Sequence, residues 1–116
     1  MVNVKGKWTL ITGAARGIGY LAAQFMAKQG SNLILQSRNI AHTEKILSEV
    51  KALGVEAFAI EAELGCEESV RKMLSAIDAL GVNVEIVLNN AGFQIGYRTD
   101  YFKTPIADYT ESFKVN

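Results

Sequence analysis

The chain has 116 residues, 49% of them hydrophobic, with twelve basic and twelve acidic side chains. That length suits one domain with its own core, and the balanced charge gives no reason to expect nucleic acid or an anionic membrane surface as a partner. No apolar run approaches the ~20 residues of a membrane helix, the start carries no signal-peptide core, and a single cysteine, Cys66, fits a reducing, cytoplasmic setting.

Residues 7–11, Lys-Trp-Thr-Leu-Ile, form a short, largely apolar run suited to a buried strand. Thr12-Gly13-Ala14-Ala15-Arg16-Gly17-Ile18-Gly19 follows at once. Gly13 permits a sharp turn, while Gly17 and Gly19 keep side chains away from a diphosphate and from the strand. The spacing is G-x-x-x-G-x-G rather than the general G-x-G-x-x-G fingerprint. The helix that follows offers unpaired N–H groups and the positive end of its dipole, which suits an anion. Ile18, Leu21, Ala22 and Phe25 mark its expected buried face, and Gly30 its C-terminal cap.

Residues 32–36 read as a second strand, ending at Ser37-Arg38. Ile46, Leu47, Val50 and Leu53 give a helical stripe that Gly54 closes. Residues 55–60 read as a third strand, which runs on to Glu63-Leu64. Val70, Met73, Leu74, Ile77 and Leu80 form the next helical stripe, closed by Gly81. Glu67/Arg71 and Glu68/Lys72 are i,i+4 pairs on its outer side. Residues 84–88 make a fourth strand, ending in Asn89-Asn90-Ala91-Gly92. After a loop over 93–103, Thr104-Pro105 reads as an N-cap and first position of a last helix.

This βαβαβαβα order predicts an α/β fold, a doubly wound parallel sheet of Rossmann type, in one domain over 1–116. Its ligand belongs beyond the carboxyl ends of the strands, at the switch point. There, Ser37 gives no repulsion to a 2′-phosphate and Arg38 supplies a bidentate fork, with Arg16 in reach of the same group. Converging cations favour NADP(H) over NAD(H), and they would have no purpose in a domain for S-adenosylmethionine. Glu63 either accepts from an adenine amino group or is an ordinary acidic helix entrance. Asn89 and Asn90 either lock neighbouring loops or simply make a turn, and Ala91 and Gly92 leave room for a flat ligand.

Ile106, Tyr109, Phe113 and Asn116 share one helical face, so Asn116 is either a buried amide needing a partner or an exposed residue at a frayed end. His42 has no second histidine, and Cys66 is read as structural, so no metal site is expected. The segment Phe93-Gln94-Ile95-Gly96-Tyr97 either walls a substrate pocket or packs.

In order, Thr-Gly-x-x-x-Gly-x-Gly, Ser-Arg and Asn-Asn-Ala-Gly resemble the classical short-chain dehydrogenase/reductase family. The likeness is to its NADPH-preferring members, among them the 3-oxoacyl-acyl-carrier-protein reductases. That resemblance implies hydride transfer between NADP(H) and a small carbonyl or alcohol substrate. By the same resemblance Gly13, Arg16, Gly17, Ile18 and Gly19 line the diphosphate and adenosine phosphate. Ser37 and Arg38 select the cofactor, Glu63 and Leu64 face adenine, and Asn90, Ala91 and Gly92 lie along the nicotinamide-side ribose. Asn116 matches the family's active-site asparagine, which supports a proton relay. Glu63 departs from the family's usual aspartate.

The family's serine and Tyr-x-x-x-Lys pair belong downstream of that asparagine. Here Tyr20, Tyr97, Tyr101 and Tyr109 are followed four places on by Gln24, Tyr101, Pro105 and Phe113, so none has a lysine one turn away. The expectation is the front half of a longer enzyme, truncated at its C-terminal end and homo-oligomeric when complete. The alternative is a non-catalytic NADP(H)-binding module.

Overall fold

Four short runs rich in β-favouring apolar residues pair as parallel strands, and the computed structural model describes residues 3–91 of the chain. The strands are β1 (Trp8–Ile11), β2 (Asn32–Ser37), β3 (Ala57–Glu61) and β4 (Val84–Leu88), in the spatial order β3-β2-β1-β4. Between them run α1 (Gly17–Lys28), α2 (Glu44–Ala52) and α3 (Glu67–Ala79), with a 3₁₀ turn at Ile40–Thr43 leading into α2. The expected α/β, doubly wound parallel sheet is the observed one.

Alternation along the central strands gives the sheet two cores. Ile11, Leu33 and Leu35 face one way, onto Ala23, Met26 and Ala27 of α1 and Ile46 and Val50 of α2. Leu10 and Ile34 face the other way, onto Met73 and Ile77 of α3. Each such fully buried Leu or Ile contributes roughly 2 kcal/mol through lost apolar exposure. Parallel strands covered on both faces explain why β2 reads as an unbroken apolar run rather than an alternating one.

The helix boundaries follow local chemistry. Gly30, one residue past the C-cap Gln29, holds φ at +89°, a conformation that favours glycine. The expected ion pairs on α3 form, Arg71 to Glu67 at 2.7 Å and Lys72 to Glu68 at 3.6 Å, both on exposed side chains. Across the α1–α2 contact, Gln24 Nε2 donates to Glu49 at 2.7 Å. A hydrogen bond to Glu49 is also the main cause that pushes the Tyr20 hydroxyl up to about 12.

Three expectations are corrected. The strand ends shift: β1 begins at Trp8, β2 reaches Ser37, and β3 runs from Ala57 to Glu61. The stripes of α2 and α3 are narrower than expected, since Leu53, Leu74 and Leu80 are exposed. Most informatively, Ile18, Leu21 and Phe25 are not the buried face of α1; they are 76%, 63% and 56% exposed. The sheet takes Gly19, Ala23, Met26 and Ala27 instead, because small side chains let the helix lie close to the strands. Among the described residues β4 pairs only with β1 and β3 only with β2, so both are edge strands, and Val87 on β4 is exposed. The loop and helix expected over 93–116 lie outside the described residues.

Candidate functional site

The carboxyl ends of the four strands meet around the segment that leaves β1. Thr12 is buried, and its Oγ1 accepts from the backbone N–H groups of Asn90 and Ala91, both at 3.0 Å. It can also donate to the Leu88 carbonyl at 3.5 Å. Asn90 adds a second tie, its Nδ2 donating to the Gly13 carbonyl at 3.1 Å. The ends of β1 and β4 are therefore one hydrogen-bonded unit. Replacing Thr12 with valine keeps the shape and removes the acceptor, leaving Ala91 N–H unpaired. The expected cost is about 1–2 kcal/mol in a denaturant titration.

Glycine placement is dictated by these contacts. Gly13 holds φ at +63°, with Ala91 so close that a Cβ would stand 3.0 Å from its Cα. Gly19 admits no side chain at all, because a Cβ there would collide with the Gly13 carbonyl and stand 2.6 Å from Asn90 Nδ2. Gly17 also has positive φ, +63°, yet a Cβ there meets nothing within 4 Å. Gly13 and Gly19 are needed for close approach, Gly17 for its backbone angle.

The first turn of α1 is left open. Its N-cap position is Arg16, whose side chain makes no capping bond, and no acidic residue sits in the turn. By contrast α2 has Glu44 and α3 has Glu67 and Glu68 in that position. Among the described residues the N–H groups of Gly17, Ile18 and Gly19 have no hydrogen-bond partner. A helix start without cap or carboxylate favours an external anion.

Next to that turn lies a cleft of about 590 Å³. Of the predicted site residues, Gly13, Arg16, Ser37, Arg38, Glu63, Leu64, Asn90 and Ala91 line it. Gly17, Ile18 and Gly19 do not line it; Gly19 is buried beneath the loop and Ile18 faces solvent. Gly92 and Asn116 lie outside the described residues. Arg16 and Arg38 reach the cleft from the ends of different strands, both exposed, while Ser37, next to Arg38 in the chain, is buried at 6%. Glu63 also serves its own turn: its Oε1 accepts from Gly65 N–H at 3.4 Å, and its N–H donates to Ser69 Oγ at 2.8 Å. Leu64 gives the cleft its buried apolar wall.

Four lining residues lay outside the predicted site: Ala15, Gln36, Asn39 and His42. Asn39 caps the 3₁₀ turn, its Oδ1 accepting from Ala41 N–H at 3.0 Å, and that turn carries His42 to the cleft rim. The available signal was the Asn-x-x-His-Thr spacing after Arg38, which fits a capped turn. Gln36 is 1% exposed, and the signal was a polar residue closing an otherwise apolar strand.

A nicotinamide dinucleotide is a bisphosphate flanked by two nucleosides. The open helix start, the adjacent arginines and the apolar wall at Leu64 fit such a group. Residues 7–116 match the short chain dehydrogenase family. The chain belongs to that family. Short-chain dehydrogenases are oxidoreductases that use a nicotinamide dinucleotide, and the parallel sheet with its glycine loop is their fold.

Against a 3-oxoacyl-acyl-carrier-protein reductase of Aquifex aeolicus, this short-chain dehydrogenase chain is 32% identical over 116 residues, 99% of its length and 46% of that protein's. A xylitol dehydrogenase solved with NAD+ bound is 27% identical, with a TM-score of 0.77 over 98% of this chain and 44% of that one. An NADPH-dependent 3-quinuclidinone reductase from Rhodotorula rubra is 28% identical, with a TM-score of 0.76 over 98% and 43%. The chain thus spans less than half the length of these relatives. Both nicotinamide cofactors occur among them. Among the described residues no helix is long and apolar enough to cross a membrane, and no group of three or more potential metal ligands occurs.

Proposed function

We propose that residues 1–116 are the cofactor-binding portion of an oxidoreductase that transfers a hydride between NADP(H) and a small carbonyl or alcohol. One observation carries the choice of NADP(H): Arg16 and Arg38 border the same cleft, with an uncharged Ser37 next to Arg38. An NAD(H) site places a carboxylate near there to accept from the ribose hydroxyls, whereas an arginine accommodates a 2′-phosphate. The guanidinium of Arg38 then forms paired charge-assisted hydrogen bonds to that phosphate, with Arg16 as a second cation.

The other roles follow from position. The open N–H groups of Gly17, Ile18 and Gly19 take the diphosphate, with Gly13 turning the chain beneath it. Leu64 packs against adenine, and Glu63 accepts from its amino group. Asn90, Ala91 and Gly92 run beside the nicotinamide-side ribose, and Asn116 supports proton transfer. The bound dinucleotide supplies the hydride; the residues of this chain bind it, orient it and exclude water from one side.

Carbonyl or alcohol chemistry is supported by the kinds of relatives the chain resembles, which by name are two reductases and a xylitol dehydrogenase. No tyrosine in residues 1–116 has a lysine four places on. Adding a panel of small ketones and aldehydes to NADPH and the native polypeptide tests the reading. Loss of NADPH absorbance with at least one of them is expected. Tight NADPH binding without turnover of any carbonyl or alcohol would leave a non-catalytic binding module.

A further inference from the structure

The phosphate-loop glycine that leaves β1 is not held by strand pairing. Its N–H donates instead to the side-chain Oε1 of Gln36, at 2.9 Å. The same carboxamide donates through Nε2 to the carbonyl of Ala62, at 2.8 Å. The backbone carbonyl of Gln36 meanwhile accepts from Ala14 N–H at 3.0 Å. One buried residue at the end of β2 therefore receives two successive N–H groups of the loop and ties them to the wall that follows β3.

We propose that Gln36 is a positioning residue of the cofactor site, whose carboxamide fixes the loop at Gly13 so that the open first turn of α1 faces the diphosphate. The inference rests on the NADP(H) reading above and extends it to a buried residue that borders the cleft from behind the loop. A side-chain amide is suited to the task because it carries one acceptor and two donors on a planar group. Gly13 N–H points at the acceptor and Ala62 carbonyl at a donor, so neither group is left unpaired in a buried place.

The two sides of this bridge differ in what remains if it is cut. Ala62 loses the donor to its carbonyl, but its N–H still donates to the Ser37 carbonyl at 3.0 Å and holds the end of β2 to the segment after β3. Gly13 N–H has no other partner among the described residues, and the residue is then held only through its carbonyl, by the side chain of Asn90 at 3.1 Å. Loss of the carboxamide thus loosens the phosphate loop while the strand ends carrying Arg38 and Leu64 stay in register. Diphosphate ligands should suffer, and a ligand that engages only the adenosine 2′-phosphate end should not.

The test is Gln36→Met, which keeps length and removes both hydrogen bonds, titrated with NADP+ and with adenosine 2′-monophosphate. The expected result is about tenfold weaker NADP+ binding, with the monophosphate within about twofold of the unaltered protein. Equal losses for both ligands would mean that Gln36 only supports the fold, and no loss for either would mean that the loop needs no such tie; both overturn the proposal. Where Gln36→Met does not fold, Gln36→Asn carries the same comparison, because an amide shortened by one methylene cannot span Gly13 and Ala62. If the unaltered protein binds neither ligand, the NADP(H) reading itself fails, an outcome distinct from either result for the variants.

Discussion

Replacing Arg38 with aspartate is expected to weaken NADP+ binding about 100-fold while leaving NAD+ affinity unchanged or improved. The magnitude comes from removing paired charge-assisted hydrogen bonds to a 2′-phosphate and putting a negative charge where they were. Arg38 is exposed, so the exchange leaves no buried group unpaired and the fold should tolerate it. Ser37 beside it remains buried and uncharged, and Arg16 remains to hold part of the phosphate's charge. Aspartate at this place also gains a use with NAD+, as an acceptor for the ribose hydroxyls. Parallel titrations of the variant with both cofactors read the effect. An NADP+ to NAD+ affinity ratio that does not move would show that the arginine lies in solvent and selects nothing.

Gly19→Ala is the second large effect, and it falls on stability. The added methyl group would meet the Gly13 carbonyl and Asn90 Nδ2, both already engaged with each other at 3.1 Å. Neither neighbour is the free end of a flexible chain, so α1 must move away from the loop. Overpacking of this kind costs on the order of 3 kcal/mol, seen as a lowered denaturant midpoint. Gly17→Ala is the control. Its methyl group meets nothing, and its cost of about 1 kcal/mol comes only from placing a side chain at positive φ. Equal midpoints for the two variants would contradict the close approach at Gly19.

The same contact shows why part of this site could be read directly from the residues. Glycines at 13, 17 and 19 after an apolar strand announce a tight loop, with side chains excluded at 13 and 19 and a positive φ at 17, and the alternation of strand and helix fixes the sheet type. Ser37, Arg38, Glu63, Leu64, Asn90 and Ala91 follow because each sits where a parallel strand ends, and strand ends are local features. The face of α1 was not legible in this way. Ile18, Leu21 and Phe25 have the spacing and bulk of a buried stripe, but the sheet accepts the smaller Gly19, Ala23 and Ala27 because backbone proximity decides the packing. Gln36 was hidden for a different reason. Its partners lie 23 and 26 residues away in the chain, just past the ends of the strands that flank its own, and no local pattern announces that bridge. His42 reaches the cleft only through a short 3₁₀ turn between β2 and the stronger helical signal of α2.

The central claim is that this chain holds NADP(H) in preference to NAD(H). Titrating the protein with NADPH and NADH at one ionic strength, and comparing dissociation constants, tests it most directly. The arrangement of Arg16, Ser37 and Arg38 predicts NADPH tighter by at least about tenfold, with the difference shrinking as salt screens the arginines. Equal affinities, or a preference for NADH, would contradict it and return both arginines to the solvent-exposed surface.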